Sequence, residues 1–364
     1  MTSGVERSLE AQMARIERAR LAKRARPTMR DTQITLSHGS GGRAMHDLID
    51  AIFSPAFDNP LAAAQDEAAV LAVEAGRLAF TTDSYVVSPL FFPGGDIGKL
   101  AVHGTVNDLA MMGAEPRYLS AGFILEEGLP MEVLRRVVAS MADAAREAGV
   151  QIVTGDTKVV PRGKADQLFV TTSGVGVLRE GTNLSQGAAR PGDRILVSGS
   201  IGDHGMAVML AREAFEFDAE IRSDTAPLAG LVRALLVAAP GTRALKDPTR
   251  GGVASSLNEI AARSGVAIAI EEEAVPIRAE VRGACEILGI DPLHIANEGK
   301  LVAVVPPEQA NAALLAMRDH PLGVGAMLIG EVLARPEGMV ILRTGIGGSR
   351  VLDMLVGDPL PRIC

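Results

Sequence analysis

The first group that could do chemistry is a thiol on the final residue, Cys364. The chain has one other cysteine, Cys285, so the pair could form at most one disulfide. The last twenty residues begin with a glycine-rich stretch and end with Pro359 and Pro361, so a flexible segment leads to a stiff tip. Fully extended, this segment would span roughly 65 Å at ~3.3 Å per residue. We expect the thiol to reach a pocket on its own chain or on another protein, unless the segment is simply a frayed terminus.

Carboxylates form a second candidate set. One short predicted strand begins at Asp66 and Glu67, and a second ends at Asp83. Asp108 lies in a predicted helix that is otherwise apolar. An aspartate in the middle of a helix normally faces solvent. Here the aspartates recur beside glycine-containing turns, a pattern that suits oxygen ligation of Mg²⁺ on the phosphates of a nucleotide.

Four polar turns could bind anions or position charged groups. Small residues before a helix start, as in Gly39–Gly42, let backbone N–H groups approach an anion, although this loop lacks the Walker A and Rossmann patterns. The turn at 154–158 would place a carboxylate, a hydroxyl and an ammonium at the carboxyl end of a strand. The turn at 247–252 opens a helix with a carboxylate and a guanidinium, and the turn at 297–300 precedes a buried strand. Each of them could equally serve only as a turn or a helix cap.

Helices and strands that would position these groups follow from the sequence pattern. One helix is predicted to start at Asp96, whose side chain can cap it, and to stop at Gly113. An amphipathic helix is predicted over Pro130–Ala148, with Gly149 after its end. A polar stretch at 187–193 then separates these elements from a second half of alternating strands and helices. The strands predicted in that half are Arg194–Val197, Val266–Ile270, Leu301–Val305, Met327–Val332 and Val340–Leu342, and the helices are Gly205–Glu213, Leu228–Ala239, Gly252–Arg263 and Glu308–Arg318.

Composition limits the class of protein. The 364 residues favour two domains, and 47% hydrophobic with 22% charged residues indicates a globular chain. A net charge of −8, no tryptophan and 3% aromatic residues argue against nucleic-acid binding. No apolar run is long enough for a membrane span and no signal peptide is evident, so with two cysteines we expect a reducing, cytoplasmic location. Residues 1–30 carry eight basic and three acidic side chains, and we predict a poorly ordered extension there.

Taken together, these segments resemble the HypE family of hydrogenase maturation proteins. The resemblance runs from about Ile34 to Cys364 and leaves out only the basic leader. Single motifs are shared across an ATP-using superfamily that includes aminoimidazole ribonucleotide synthetase and selenophosphate synthetase, whereas the terminal Pro-Arg-Ile-Cys is specific to HypE. The segments that carry the resemblance are His38–Gly42, Thr81–Ser84, Pro93–Gly98, Val106–Gly113, Thr154–Val160, Asp247–Gly252, Asn297–Gly299 and Pro361–Cys364.

The resemblance implies an ATP-dependent dehydration carried out on the protein's own C-terminus. A carbamoyltransferase partner, HypF, would load Cys364 with a carbamoyl group, and ATP would activate the oxygen of that group as a phosphate ester. Loss of phosphate and a proton would leave a thiocyanate, the cyanide donor for the iron of a [NiFe] hydrogenase, with a HypC–HypD complex as the acceptor. Phosphoryl transfer needs positioned metal and positive charge more than a protein nucleophile, so the implied cofactors are ATP and Mg²⁺.

The resemblance also implies roles for single residues. Cys364 would be the modified residue, Glu298 the proton acceptor and Lys158 the group that balances charge on the activated oxygen. The implied Mg²⁺ ligands are Asp66, Asp108 and Asp247. Glu67 could replace Asp66, because the acidic pair leaves the register open. The implied nucleotide-binding residues are Asp83, Asp156 and Thr157, together with a loop over the phosphate or the incoming tail that consists of Gly39, Ser40, Gly41 and Gly42.

By the same resemblance we expect an α+β protein of two domains with a synthetase-like fold. The first domain would have a mixed or antiparallel sheet, would form a homodimer across a two-fold axis, and would use helices at the dimer interface. The second would be an α/β sandwich. The predicted ranges are an extension over 1–30, an ATP-binding and dimerisation domain over 31–187, a C-terminal domain over 188–344 and a mobile tail over 345–364 that carries Cys364.

Two alternatives to this function remain open. One is a small-molecule kinase or synthetase of the same superfamily, although selenophosphate synthetases place a reactive cysteine or selenocysteine near the N-terminus and this chain has none there. The other is a maturation scaffold whose tail is a docking peptide and whose nucleotide binding is regulatory. ATP hydrolysis that depends on a carbamoylated Cys364 would separate catalysis from docking.

Overall fold

The computed structural model describes residues 42–53, 67–73, 76–213, 220–355 and 362–364. The predicted extension over 1–30, the loop residues Gly39–Gly41 and Asp66 lie outside these ranges. The helices are α1 (Arg43–Leu48, continued by a π-helical turn over Ile49–Phe53), α2 (Ile97–Met111), α3 (Met131–Ala148), α4 (Asp203–Glu213), α5 (Ala229–Ala238), α6 (Gly252–Ser264), α7 (Ala279–Leu288) and α8 (Ala310–Asp319). The strands are β1 (Ala69–Val73), β2 (Gly76–Tyr85), β3 (Phe91–Phe92), β4 (Gly95–Asp96), β5 (Ala114–Glu126), β6 (Gln151–Val160), β7 (Leu168–Leu178), β8 (Arg194–Val197), β9 (Ala244–Lys246), β10 (Ala267–Glu271), β11 (Val302–Val305), β12 (Met327–Leu333), β13 (Met339–Arg343) and β14 (Ser349–Leu352).

The first half is built on a five-stranded mixed sheet in the order β1-β2-β7-β5-β6. Its neighbouring strands are antiparallel except for the parallel pair β5 and β6, as the predicted mixed sheet requires. The helix α2 packs on β2 and β7 and is buried along almost its whole length. Because α2 is covered on all sides, it lacks the polar face of a surface helix. It can therefore carry side chains into the interior between the two halves of the chain.

Local sequence chemistry sets the ends of α2 and α3. The predicted cap is present, because the Asp96 side chain accepts hydrogen bonds from the N–H groups of Gly98 at 2.8 Å and Lys99 at 3.1 Å. α3 ends at Gly149, which has the left-handed backbone of a C-terminal glycine cap (φ 70°). The two helices approach closely at Gly98, where a Cβ atom would lie 2.4 Å from the carbonyl oxygen of Val137. Only glycine permits this approach.

The second half is built on a seven-stranded mixed sheet in the order β14-β13-β10-β12-β8-β11-β9. The sequence pattern does not predict β9, α7 or β14. The strand β14 lies inside the segment predicted as a mobile tail from Gly345: Gly347 adopts a positive φ of 82° and the chain turns back to pair with β13. Leu352 then becomes buried beneath this hairpin. Among the described residues, no helix combines the length and apolar character that a membrane crossing requires.

One hydrophobic core joins the two halves. It contains Leu100 of α2 and Leu119 of β5 together with Met206 of α4 and Ile295, which comes from the loop before β11. Ile363, next to the C-terminus, is buried in the same core with 4% of its surface exposed. The end of the chain is therefore packed between the halves, and the elements that meet there also carry the candidate site.

Candidate functional site

Three carboxylates from distant parts of the sequence meet in one cluster. Glu67 precedes β1, Asp108 lies near the end of α2 and Asp247 follows β9, and each offers an oxygen within 4.8 Å of those of the other two. The hydroxyl of Thr81, on β2, donates a hydrogen bond to Asp108 Oδ2 at 3.0 Å. Of the two residues that the sequence left open as ligands, Glu67 contributes its carboxylate to this cluster, and Asp66 lies outside the described residues.

Burial and mutual repulsion raise the pKa of two carboxyl groups of this cluster. Burial, reinforced by Asp247, Asp83 and Glu67, raises the pKa of Asp108 well above its ordinary value. Burial and the charge of Glu67 raise the pKa of Asp247 to about 7. Ionised carboxylates this close together need positive charge beside them, and carboxylate oxygens are the ligands that Mg²⁺ prefers. The cluster therefore fits a divalent cation held by Glu67, Asp108 and Asp247.

A buried lysine supplies part of the positive charge. Lys246, on β9, contacts Glu67 Oε1, and its Nζ lies 3.3 Å from Glu259 Oε2. Burial lowers the pKa of Lys246, but the attraction of Glu67, Glu259 and Asp247 outweighs burial and raises it. Burial raises the pKa of Glu259, but Lys246, His46 and Arg263 together outweigh burial and lower that pKa to about 2. The Lys246–Glu259 pair is thus charged on both sides and borders the acidic cluster.

The cluster opens into a cavity of about 380 Å³. Thr82 and Asp83 of β2 line it, as do Thr249 and Arg250 of the turn before α6. His46, four residues after Gly42, also lines it through α1. A volume of this order lies within the range of roughly 300–1,000 Å³ that is usual for small-molecule sites.

Glu298 is a buried acid beside this cavity, with 3% of its surface exposed. Burial, with the charges of Asp247, Asp83 and Asp224, raises its pKa well above the ordinary value, and Arg250 opposes the shift. Its Oε1 is buried and forms no hydrogen bond within the described ranges. A carboxyl group that is poorly solvated and incompletely bonded is suited to exchange a proton with a bound group.

The loop that carries Glu298 is held at its backbone. The N–H of Glu298 donates to Asp224 Oδ1 at 3.0 Å, and the amide of Asn107 donates to the Glu298 carbonyl oxygen at 3.3 Å. The same Asn107 side chain accepts a 2.8 Å hydrogen bond from the N–H of Leu228. At Gly299 a Cβ atom would lie 1.8 Å from the backbone oxygen of Asp224, so the loop can approach this closely only with glycine. Asn107, next to Asp108, and Gly299, next to Glu298, therefore position this loop.

The C-terminus docks against the first half of the same chain. The N–H of Val86 donates to a terminal carboxylate oxygen of Cys364 and the N–H of Ser88 to the carbonyl oxygen of Arg362, each at 3.1 Å. Cys364 is half-buried. Electrostatic attraction between Cys364 and the Arg250 guanidinium is the largest influence that raises the pKa of Arg250. Arg250 also faces Asp83 and Glu298. The structure thus brings the terminal residue, a guanidinium and two carboxylates to one place.

Three predicted site residues lie on an edge strand, away from this cavity. Asp156, Thr157 and Lys158 lie on β6, the exposed edge strand, where Asp156 Oδ2 and Lys158 Nζ are 2.8 Å apart. Asp83 lies on β2, where it pairs with Thr172 of β7, and the strands β7 and β5 separate β2 from β6. Three strand spacings amount to about 14 Å. The roles implied for these residues stay predictions, as does that of Gly42, which is buried at the start of α1.

Other residues of the site received no role from the sequence. Arg250 stands within a turn noted for its guanidinium, so its type was a signal but its proximity to Cys364 was not. Lys246 and Glu259 have no motif of their own, and the short strand that carries Lys246 leaves little periodicity to detect. Asp224 likewise carries no pattern that points to the site, whereas Thr81 begins one of the segments that carry the resemblance but received no role of its own.

The chain is similar in sequence and structure to known proteins. A family model described as AIR synthase related protein, N-terminal domain, matches residues 65–178, and one for the C-terminal domain matches residues 190–343. The carbamoyl dehydratase HypE of Rhizobium leguminosarum bv. viciae is 58% identical over 334 residues, which are 91% of this chain and 95% of that protein. A crystal structure of a HypE–HypF complex is similar with a TM-score of 0.81 and 53% identity, covering 85% of this chain and 99% of that chain. A crystal structure of HypE in complex with ATP is similar with a TM-score of 0.77 and 52% identity, covering 91% of this chain and 100% of that chain.

Proposed function

Because the chain belongs to the AIR synthase related proteins, and within them to the HypE carbamoyl dehydratases, we propose that it uses ATP to dehydrate a carbamoyl group carried on its own Cys364. The product is a thiocyanate that supplies cyanide to the iron of a [NiFe] hydrogenase. The observation that carries this proposal is the position of the C-terminal residue beside Arg250, which also faces Asp83 and Glu298. A substrate attached to the chain end needs such a site within its reach.

The reaction has two bond-making stages. The oxygen of the carbamoyl group attacks the γ-phosphorus of ATP, ADP leaves, and the nitrogen releases one proton. The carbon–oxygen bond then breaks, phosphate departs, the second nitrogen proton is removed and a carbon–nitrogen triple bond forms. Amide oxygen is a poor leaving group, and its phosphate ester is a good one. The sum is the loss of one water from the carbamoyl thioester and the hydrolysis of one ATP.

The residues of the cavity fit these stages. Glu298 accepts a nitrogen proton, because its raised pKa makes the carboxylate a stronger base than usual. Arg250 faces the departing phosphate and the sulfur. Glu67, Asp108 and Asp247 would hold Mg²⁺, and Asp83 would contact the nucleotide. When bound, the cation neutralises charge on the phosphates and orients them.

The proposal includes partners. A HypF-type carbamoyltransferase loads Cys364, and the crystal structure of a HypE–HypF complex supports this choice of partner. A HypC–HypD complex accepts the cyanide. A second copy of the chain pairs through the exposed edge strand β6, and Asp156, Thr157 and Lys158 would then act at the interface, with Lys158 balancing charge in the partner's cavity.

The intact mass of the protein tests the function directly. After incubation with a HypF-type carbamoyltransferase and carbamoyl phosphate, we expect the chain to gain one carbamoyl group, and after ATP and Mg²⁺ to lose one water. Cys364→Ala should do neither. ATP turnover by Cys364→Ala at the wild-type rate would instead favour a small-molecule kinase, and loading of the wild type without water loss would favour a docking scaffold.

A further inference from the structure

A fully buried histidine touches the docked tail. His204, near the start of α4, has 0% of its surface exposed, and its Nε2 lies 2.6 Å from the carbonyl oxygen of Ile363. Its Nδ1 lies 2.8 Å from Ser223 Oγ. The ring of Phe92 packs edge-on against the imidazole, with ring centroids 5.5 Å apart and planes at 82°. The imidazole is therefore fixed in place by three different neighbours.

These contacts define which nitrogen carries the proton. A carbonyl oxygen only accepts hydrogen bonds, so Nε2 must donate to Ile363. Burial lowers the pKa of His204, which keeps the ring neutral, and Nδ1 then accepts from the hydroxyl of Ser223. The N–H of Thr225 donates to the same Ser223 oxygen at 3.2 Å. Each nitrogen of this small network thus has a defined donor or acceptor role, and Ser223 Oγ both donates and accepts.

The segment that holds the histidine also holds the loop of the proposed base. The N–H of Ser223 donates to the carbonyl oxygen of Pro93 at 2.8 Å, and a Cβ atom at Gly94 would lie 2.7 Å from Ser223. The next residue, Asp224, accepts the N–H of Glu298 and forms an ion pair with Lys300 at 3.2 Å. One three-residue segment, 223–225, therefore contacts the tail through His204 and the Glu298 loop through Asp224.

We propose that His204 is a positioning residue that seats the tail and, through Ser223, aligns Cys364 with the loop that carries Glu298. This inference rests on the proposed function. Together with Arg212, whose guanidinium donates to the carbonyl oxygen of Arg362 at 2.9 Å, it holds the tail by backbone atoms. The grip is therefore the same for a free thiol, a carbamoyl group or a thiocyanate on the sulfur.

Hydrogen exchange measures the seating without any turnover. The amides of Val86 and Ser88 donate to backbone oxygens of the tail, so a released tail exposes them. In full-length protein without nucleotide, we expect His204→Leu to speed the exchange of these amides about tenfold, because one buried hydrogen bond is lost. Deletion of residues 362–364 should give the fastest exchange that release of the tail can cause. His204→Gln, which keeps an amide donor, should exchange more slowly than His204→Leu. The matched control is His320→Leu, at the end of α8 and outside this network.

Single-turnover water loss measures the alignment. On protein already carbamoylated at Cys364, we expect Ser223→Ala, which keeps the Nε2 donor of His204 to the tail and removes the hydrogen bond to its Nδ1, to lose water about tenfold more slowly, with ATP affinity unchanged. Wild-type exchange at Val86 and Ser88 in His204→Leu would overturn the seating role. Wild-type water loss in Ser223→Ala would overturn the alignment, and this variant serves if His204→Leu does not fold. If the wild type itself never loses water, the proposed function fails, and the exchange result still decides whether His204 seats the tail.

Discussion

Glu298 illustrates at the scale of one residue how a site can oppose stability. Its carboxyl is buried among Asp247, Asp83 and Asp224, and these neighbours add to the effect of burial in raising its pKa. The unfolded chain ionises this group near its ordinary pKa of 4.5, while the folded chain still binds the proton. Its contribution to stability is therefore fully present below pH 4.5 and is lost as the pH rises through the folded pKa.

Glu298→Gln should therefore raise stability while it removes activity. The amide cannot accept the proton, and we expect single-turnover water loss to fall by about 10²–10⁴-fold, the usual contribution of a general base. Thermal melts should show a higher Tm than the wild type at neutral pH, with the difference disappearing below about pH 4.5, because the amide has no charge to bury. Equal Tm values across the pH range would mean that the fold does not raise the pKa of Glu298.

The acidic cluster leads to a prediction about metal. A cation replaces protons on the carboxylates that hold it, and the pKa of Asp247 is raised to about 7. With ATP present, we expect Mg²⁺ to raise Tm more at pH 8 than at pH 6, and a chelator to reverse the gain. Asp247→Asn should lose most of the shift, whereas Asp143→Asn, on the exposed surface of α3, should keep it. A shift that is independent of pH and of Asp247 would contradict the assignment of the cluster.

At the scale of elements, the loop from Asn297 to Lys300 depends on close backbone packing. A Cβ atom on Gly299 would lie 1.8 Å from the Asp224 oxygen and 3.0 Å from the Ala226 nitrogen, and backbone atoms cannot move aside cheaply. We expect Gly299→Ala to lower the free energy of unfolding by about 2 kcal/mol and to slow water loss, because the loop carries Glu298. Denaturant melts with single-turnover assays provide the measurement.

A second glycine serves as the control for that variant. Gly283, within α7, has no neighbouring atom within 4 Å of an added Cβ. Gly283→Ala should stabilise the protein by about 0.5 kcal/mol through helix propensity and leave water loss unchanged. If Gly299→Ala behaved like Gly283→Ala, the loop would not depend on its contact with Asp224.

The elements differ in how far the sequence could predict them. The Asp96 cap, the Gly149 stop and most strands and helices depend on residues next to one another, so local patterns were sufficient. The edge position of β6 depends on the pairing order of the sheet, which no local pattern contains, so Asp156 and Lys158 could not be separated from the cavity. The contact of Lys246 with Glu67 joins residues far apart in the chain, and only the packing of the two halves brings them together.

At the scale of the molecule, the described residues combine a shared core with an apolar surface on the first sheet. The tail, α4 and the loop before β11 pack with the first half, so the end of the chain and the site share one core. In contrast, the outer face and edge of the five-stranded sheet expose large apolar side chains. These are Phe80, Tyr118, Ile124, Ile152, Val153, Val159 and Val177. Contiguous apolar patches on a folded surface usually mark an interface.

Pairing through this surface can be tested with one matched pair of variants. Val159, on the edge strand β6, is 67% exposed, and Val237, on α5, is 73% exposed. Lysine on an edge strand opposes pairing with a second strand, because its charge would be buried at the interface. We expect Val159→Lys to convert the proposed homodimer to a monomer in light scattering and Val237→Lys to remain dimeric. If Lys158 acts across that interface, water loss should fall with dissociation and recover at high protein concentration. A monomeric wild type at micromolar concentration, or a dimer that survives Val159→Lys, would contradict pairing through β6.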